Sequence, residues 1–361
     1  MTANEPILVT AIKDPSSVTE LSASQWTELL QQADDEGLSA RLYARLDEAD
    51  LLDQIPQRAR EILLDSAIYA EANAVSLRFE LNRIRRAVAE QPVPLIALKG
   101  IAYLMADLPP ARGRSAADID VMVPREELVE VRRTLLQAGW HTAVMRDYDV
   151  HYYETWMHEI PPLWHPERQM ATDIHHTIAP LTSRVAPKVD ALWSAAVETE
   201  QGSKVLCPAD MVLHAAVHLF NEDFRLGFRD LVDLHDLLIH FGKDSGFWPA
   251  LETRAELHEC ERVLYHLLHF TTRVLGTPVP QDVLERARRA GPPVPIAQLM
   301  DLLGVAALKP RRRDERAWFA DFAFWCLYVR SHWLRMPPLL LLRHLSTKAW
   351  FRVRDRVPGL P

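Results

Sequence analysis

Two carboxylates stand two residues apart in the otherwise apolar run 118–123 (DIDVMV). If this run is a β-strand, its two-residue period puts both carboxylates on one face, roughly 6.5–7 Å apart along the chain. Carboxylates this close repel each other, and a pair of divalent cations neutralises that repulsion. Because the ligand atoms are all oxygens, Asp118 and Asp120 are predicted to bind Mg²⁺ or Mn²⁺. A solvated strand end is the alternative for this pair.

A second strand-like run, 170–175 (MATDIH), offers a third carboxylate. Within it Asp173 and His175 share one face of a strand, while Ile174 points to the other face. If the two strands are neighbours, Asp173 joins the pair as a third catalytic and metal-binding acid; an ordinary acid on an edge strand is the alternative. His175 is a candidate nucleotide contact and His158 a candidate ligand, although a half-buried histidine bonded to the backbone is a common alternative for both.

Basic residues precede the acids at positions suited to a phosphate. Lys99 and Gly100 close the apolar run 93–98 before a helix, where free amides and a missing side chain allow a phosphate to approach the backbone. Arg114 and Ser115 lie on the small-residue loop 111–117, and Arg114 is suited to supply a second cation to a triphosphate. A strand-end lysine at the surface and a loop salt bridge are the alternatives for Lys99 and Arg114.

The elements that would position these residues indicate an α+β fold of 361 residues. Strand-like runs at 93–98, 118–123, 140–146, 158–164 and 170–178 indicate a small mixed-sheet α/β core over residues 92–200. Residues 1–91 are predicted to form an N-terminal helical region, residues 201–345 a C-terminal helical domain, and residues 346–361 a basic tail. The C-terminal helices would cover the cleft beside the acids.

Helical periodicity is clearest outside the core. In the N-terminal region Leu77, Leu81, Ile84 and Val88 form one apolar stripe. Further helices are predicted over residues 211–220, 228–241, 255–275 and 316–334.

Composition excludes several broad classes of protein. The formal net charge of −8 lacks the cation excess of a non-specific nucleic-acid binder. Three widely spaced cysteines support neither a disulfide framework nor a thiolate metal cluster. The start of the chain lacks a signal-peptide pattern, and the longest apolar run is too short to span a bilayer, so we expect a cytoplasmic protein without a transmembrane segment.

The basic tail follows the apolar run 339–342, so it could make a weak contact with an anionic surface. A last core helix with a solvated basic end is the simpler interpretation.

A different metal-site hypothesis involves histidines on helices. His214 and His218 stand four residues apart, and His235 is followed by Asp236, an arrangement similar to that of helical metal-dependent phosphohydrolases. Nearby polar residues are predicted either to line a helical acceptor pocket or to form an ordinary polar helix face: Arg229, Asp230 and Asp233.

The order of the first set of motifs resembles the uncharacterised nucleotidyltransferase family of the DNA polymerase β-like superfamily. That family has a strand ending in Leu-Lys-Gly, then an arginine, an Asp-hydrophobic-Asp strand and an Asp-hydrophobic-His strand. These correspond to residues 98–100, Arg114, residues 118–120 and residues 173–175, and the resemblance covers about residues 25–245. One departure is that Gly100 is followed by Ile101, where the superfamily usually has Gly-Ser.

The resemblance implies transfer of a nucleoside monophosphate from a nucleoside triphosphate, with ATP the expected donor, to an acceptor hydroxyl. Asp118 and Asp120 would bridge two Mg²⁺ ions, and Asp173 would complete one ion site or take the acceptor's proton. Lys99, Gly100 and Arg114 would hold the triphosphate. The acceptor is open among small molecules, proteins and nucleic acids, and a non-catalytic nucleotide-binding or regulatory protein is the alternative.

Overall fold

The computed structural model of the protein describes residues 5–90, 93–142, 144–168, 170–221, 224, 226–311 and 317–356. The predicted domain boundary at residue 92, residue 143 of a predicted strand, residue 316 at a predicted helix start and residues 357–361 of the basic tail lie outside the described residues. Helices precede and follow a seven-stranded mixed sheet, which confirms the predicted α+β class.

Four α-helices precede the sheet in the described part of the chain: α1 Ile7–Lys13, α2 Ala23–Asp35, α3 Ser39–Glu48 and α4 Gln57–Ala87. Helix α2 begins with a capping box, in which the Ser22 side chain accepts from the Gln25 N–H and the Gln25 side chain accepts from the Ser22 N–H. The stripe predicted on α4 and its C-cap is buried, as expected of the face toward the core: Leu77, Leu81, Ile84 and Val88.

The strands are β1 Ile96–Ala97, β2 Asp118–Met122, β3 His141–Thr142, β4 Leu163–Trp164, β5 Ala171–His175, β6 Val197–Glu198 and β7 Lys204–Val205. Their order in the sheet is β3-β4-β5-β2-β1-β7-β6. The two five-residue strands, β2 and β5, pair in parallel at its centre, and β1 runs antiparallel to β2. The longest strands of the sheet are therefore those that carry the predicted acids.

Several predicted strands are shorter than the apolar runs that suggested them. The run 93–98 contributes only β1, since Pro94 has no N–H for a ladder and helix α5 Lys99–Met105 begins at once. The run 140–146 contributes only β3 before an unpredicted helix, α7 Asp147–Trp156. The β6–β7 hairpin, which turns at Gly202 with a φ of 66°, was also not predicted.

The remaining helices are α6 Leu128–Gln137, α8 Val189–Ala195, α9 Pro208–Asn221, α10 Gly227–Phe241, α11 Phe247–Leu257, α12 Glu261–Phe270, α13 Gln281–Ala290, α14 Val294–Leu308, α15 Ala317–Arg335 and α16 Pro338–Arg356. The single helix predicted over 255–275 is wrong. Glu259 adopts a left-handed backbone conformation with a φ of 56°, which separates α11 from α12, and a π-helical turn follows α12.

The buried apolar side chains form one continuous cluster through the N-terminal helices, the sheet and the C-terminal helices. Helix α9 lies near its middle, packed against α10, α11, α12 and α15. Because the core is continuous, the division of the chain into four segments stays a prediction.

No single described helix is long and apolar enough to cross a membrane. Helices α13 and α14, which are bent by 112° relative to each other, together have the length and composition of a span.

Candidate functional site

Strands β2 and β5 carry the three predicted acids to neighbouring positions. The register of this parallel pair places Asp120 opposite Asp173, so their side chains share one face of the sheet. Asp118 shares that face because it stands two residues before Asp120. The apolar residues of the opposite face are fully buried: Ile119, Val121 and Ile174. The alternation in the sequence thus arises from one face packed in the core and one face that carries carboxylates.

Asp120 is a buried carboxylate whose charge is compensated. Its Oδ1 accepts hydrogen bonds from Lys99 Nζ and His175 Nε2, each at 2.9 Å. Burial acts to raise the pKa of Asp120, but the Lys99 ammonium and the bond from His175 outweigh it and hold that pKa well below its usual range. Asp120 is therefore ionised at neutral pH.

Asp118 and Asp173 lack such compensation. Burial, reinforced by the charge of Asp120, raises the pKa of both carboxyls, that of Asp173 to about 7. Asp173 Oδ1 is also buried and makes no hydrogen bond with any described residue. An acceptor oxygen left unpaired beside two other carboxylates has the chemistry of a cation ligand or a proton acceptor.

Gly100 makes room for Arg114. A Cβ at this position would clash with the Arg114 guanidinium, so the close approach of that arginine requires a glycine. Lys99, which precedes it at the start of α5, has a positive φ of 47°. The contact of Gly100 with a phosphate stays a prediction, since the structure explains the glycine by packing alone.

Arg114 belongs to a buried ionic network that joins three parts of the chain. Its Nε donates to Asp233 of α10 at 2.7 Å. Arg41 of α3 pairs with the same carboxylate at 3.2 Å and with Asp236 at 3.1 Å, and Arg45 pairs with Asp236 at 2.5 Å. The network fixes α3 and α10 against the loop that precedes β2.

These groups surround a small cavity, which we call the acidic cleft. Its volume is about 110 Å³, and it is lined by Lys99, Gly100, Tyr103, Arg114, Asp118, Asp120, Ala215, His218, Arg229, Asp230 and Asp233. Ser115, Asp173 and His175 are not among the lining residues. This volume is smaller than that of a typical small-molecule pocket, which is about 300–1,000 Å³.

A second cluster of potential metal ligands adjoins Asp120. Among the described residues, one group of three histidine, cysteine or acidic side chains has all its ligand atoms within 4.8 Å of one another: His158, Glu159 and His175. His175 Nε2 lies 3.6 Å from Glu159 Oε2, and His158 Nε2 lies 4.0 Å from that oxygen. The carboxylate oxygens of Asp118, Asp120 and Asp173 do not all lie within this distance of one another. Two nitrogens and one oxygen suit Mn²⁺ or Zn²⁺ better than Mg²⁺.

The structure does not assemble the alternative histidine site. His218 lines the acidic cleft, whereas His235 Nδ1 is hydrogen-bonded to Thr277 Oγ1 at 2.8 Å. Asp236 is paired with arginines of α3. These side chains form no common ligand group in the part of the chain that the structure describes.

Four residues around the site were not predicted from the sequence: Arg41, Arg45, Tyr103 and Glu159. Arg41 and Arg45 lie four residues apart, and Asp233 and Asp236 lie three apart, so each pair presents one charge sign on one helix face. That complementary spacing was the available signal. Tyr103 of the cleft wall and Glu159 beside His175 had no comparable pattern.

A family model described as "Uncharacterised nucleotidyltransferase" matches residues 22–276. The chain belongs to this family. The match begins before α2 and ends after the π-helical turn, so it extends beyond the predicted 25–245 and contains every residue of the acidic cleft. No curated protein matches the chain.

Membership of the nucleotidyltransferase family supports nucleotidyl transfer as the general activity and a nucleoside triphosphate as a substrate. Helices α13 to α16 follow the matched segment.

Proposed function

We propose that the protein transfers a nucleoside monophosphate from a nucleoside triphosphate to an acceptor hydroxyl in a reaction that depends on Mg²⁺ or Mn²⁺. The observation that carries the proposal is the set of three carboxylates on one face of β2 and β5, two of which line the acidic cleft together with Lys99 and Arg114. This placement gives a family member the oxygen ligands and the cations that nucleotidyl transfer needs.

The residues present fit a divalent cation. Asp118, Asp120 and Asp173 supply only oxygens, and the buried Asp173 Oδ1 lacks a hydrogen-bond partner among the described residues. These three side chains would hold the metal, with His175 fixing the orientation of Asp120 through its 2.9 Å hydrogen bond. When bound, the metal lowers the pKa of the acceptor hydroxyl and neutralises charge on the departing pyrophosphate.

In the proposed reaction the acceptor oxygen attacks the α-phosphorus of the triphosphate. A new phosphorus–oxygen bond forms, the bond between the α-phosphorus and the bridging oxygen breaks, and pyrophosphate leaves with the electron pair. Asp173 either completes the metal site or takes the acceptor's proton through its unpaired oxygen. Lys99 and Arg114 would bind the triphosphate oxygens, and Arg114 would exchange Asp233 for them.

The acceptor side of the cleft would be formed by α10, whose Arg229, Asp230 and Asp233 line it. Two acids and one arginine there favour an acceptor that carries hydroxyl or amino groups over one rich in phosphate. The net charge of −8 likewise disfavours a long nucleic acid. We propose ATP as the donor to test first.

The test is incubation with each α-labelled nucleoside triphosphate and Mg²⁺ or Mn²⁺, followed by measurement of pyrophosphate release and of label in the protein, in RNA and in small hydroxylated acceptors. Wild type should release pyrophosphate in step with label transfer. Asp118→Asn and Asp120→Asn should each lose at least ~100-fold in rate, since the site loses a charged oxygen ligand.

Asp282→Asn is the matched control, because Asp282 is an exposed acid of α13 whose partner is Arg286. Transfer that persists undiminished in the Asp118 and Asp120 variants would contradict the site assignment. Nucleotide binding without pyrophosphate release, with every donor and either metal, would favour the non-catalytic alternative.

A further inference from the structure

A larger cavity lies away from the acidic cleft, between α12, α14 and α15. Its volume is about 1040 Å³, at the upper end of the range for small-molecule pockets. We call it the apolar cavity because its wall includes Ile296, Leu299, Met300, Leu303, Phe322 and Leu327. Helices α14 and α15 follow the segment matched by the family model, so most of this wall is not part of the matched region.

The mouth of the apolar cavity is open to solvent. Ile296, Leu299 and Phe322 are each about half exposed, at 49%, 50% and 49%. Large apolar side chains grouped around an opening mark a surface that gains stability when an apolar ligand covers it.

Arg330 is the unusual polar residue of this cavity. Its Nη1 donates to the Phe220 carbonyl at 2.7 Å, and no carboxylate of the described residues lies within ion-pair distance of it. Burial is the cause that lowers the pKa of this guanidinium, to about 10. Other arginines of the fold, such as Arg41 and Arg114, have carboxylate partners. Arg330 is half-buried and has no counter-charge among the described residues, so this position is complementary to an anion.

His266 lies in the same wall and has unused hydrogen-bonding capacity. It is buried, and its Nδ1 has no hydrogen-bond partner among the described residues. Burial, followed by the charge of Arg330, lowers the pKa of His266 to about 3, so its ring is neutral at pH 7 and has one N–H to donate.

The other charged residues of the cavity do not neutralise Arg330. They are Arg184, Arg262, Glu259 and Glu261. Glu259 pairs with Lys188 at 3.0 Å and its side chain is 58% exposed. The cavity therefore combines an apolar wall with a neutral imidazole and with Arg330, a guanidinium that has no carboxylate partner among the described residues.

We propose that the apolar cavity binds a soluble amphiphile with a single anionic head group, a carboxylate or a phosphate ester, and an alkyl tail. The head group accepts hydrogen bonds from Arg330 and His266, and the tail lies along Leu299, Leu303 and Phe322. Charge at one end and apolar surface at the other are both required, so neither a short anion nor an uncharged alkane derivative satisfies the site. The proposal is independent of the nucleotidyl transfer proposed for the acidic cleft.

Isothermal titration calorimetry of the full chain with sodium dodecanoate, dodecyl phosphate, dodecanol and sodium butyrate tests the proposal. We expect saturable binding of the two anionic dodecyl compounds and at least tenfold weaker binding of dodecanol and butyrate. Arg330→Gln should weaken dodecanoate binding at least tenfold. Arg273→Gln should leave it unchanged, because the Arg273 side chain is mostly exposed and does not line this cavity.

A second variant keeps the test decisive if Arg330→Gln folds poorly. Leu299→Trp fills the half-exposed mouth and should block dodecanoate and dodecyl phosphate alike, with an unchanged circular dichroism spectrum. Equal binding of dodecanol and dodecanoate, or unchanged dodecanoate binding by Arg330→Gln, would overturn the proposal. Co-sedimentation with phosphatidylglycerol vesicles in the absence of dodecanoate binding would also overturn it, because the lipid contact would then lie on the outer surface.

Discussion

The acidic cleft and the apolar cavity differ in whether their charged side chains have partners of opposite charge within the chain. Around the cleft, Asp120 has Lys99, and Arg114 has Asp233, so most charges are compensated within the chain. In the cavity, Arg330 has only a carbonyl. Asp173, which shares the sheet face of Asp120 without lining the cleft, is the counterpart of Arg330, because one of its oxygens is buried and unpaired among the described residues. The comparison shows that a polar or charged group without a partner is a better guide to the chemistry of a site's ligand than the volume of the pocket.

The largest expected effect is on catalysis, at the strand acid Asp173 with its unpaired oxygen. Asp173→Asn should lower kcat by about 10²–10⁴, the range for loss of a positioned proton acceptor, because the amide neither takes a proton nor carries a charge. Steady-state kinetics with the best donor measures the effect. The same rate in Asp173→Asn and wild type would remove Asp173 from the mechanism and leave Asp118 and Asp120 as the only strand acids assigned to the proposed reaction.

Breaking the compensated network should mainly cost stability. Asp233→Asn removes the carboxylate shared by Arg41 and Arg114, whose charges remain buried, and should lower the free energy of unfolding by about 3–5 kcal/mol. Urea denaturation gives the value. Asp282→Asn, at an exposed ion pair, serves as the control and should not change the midpoint measurably. Equal midpoints for the two variants would show that compensation in the cleft contributes little to the fold.

Buried histidines extend the comparison to acid pH. Burial, followed by the charge of Arg45, lowers the pKa of His235 to about 4 from its ordinary 6.5. Below pH 6.5 His235 is therefore protonated in the unfolded chain but stays neutral in the folded chain. The free energy of unfolding decreases as the pH falls toward 4. At pH 4.5 this group should cost about 2 kcal/mol.

Urea unfolding at pH 7 and pH 4.5 measures that loss. His235→Gln should show a smaller difference between the two pH values than wild type, whatever its stability at pH 7. His151→Gln, at an exposed histidine, should keep the wild-type difference. A pH dependence identical in all three proteins would assign the acid sensitivity to other groups.

The smallest expected effect has the opposite sign to the one at Asp233. Arg330→Met replaces an unpaired cation by an apolar side chain of similar length, which should raise the free energy of unfolding by up to about 1 kcal/mol in the absence of ligand. The lost bond to the Phe220 carbonyl offsets part of the gain. Destabilisation by Arg330→Met as large as that by Asp233→Asn would mean that Arg330 is compensated after all.

The acids of the site could be predicted from sequence because their signal is local. Alternation in 118–122 and 171–175 follows from one buried face, and the observed parallel pairing then sets the three aspartates side by side. The ionic network could not be predicted, since Arg41 and Asp233 are 192 residues apart and meet only through tertiary packing. Helix α7 was missed for a different reason. None of its residues is buried, so its sequence carries no apolar stripe.

Gly100 shows how one motif residue has two explanations. The sequence pattern suggested close approach of a phosphate, and the structure shows close approach of Arg114. Both explanations depend on the missing side chain, so the sequence motif alone does not distinguish a phosphate from an arginine as the neighbour of Gly100.

In the proposed reaction, Asp233 would compete with the triphosphate for Arg114. A triphosphate that takes Arg114 must first displace a carboxylate already held at 2.7 Å, so the measured affinity is the difference between two interactions with the same guanidinium. The displaced Asp233 would then face the acceptor side of the cleft, and donor entry would alter the charge that the acceptor meets. In the proposed reaction, binding of the donor would therefore influence binding of the acceptor through this one arginine.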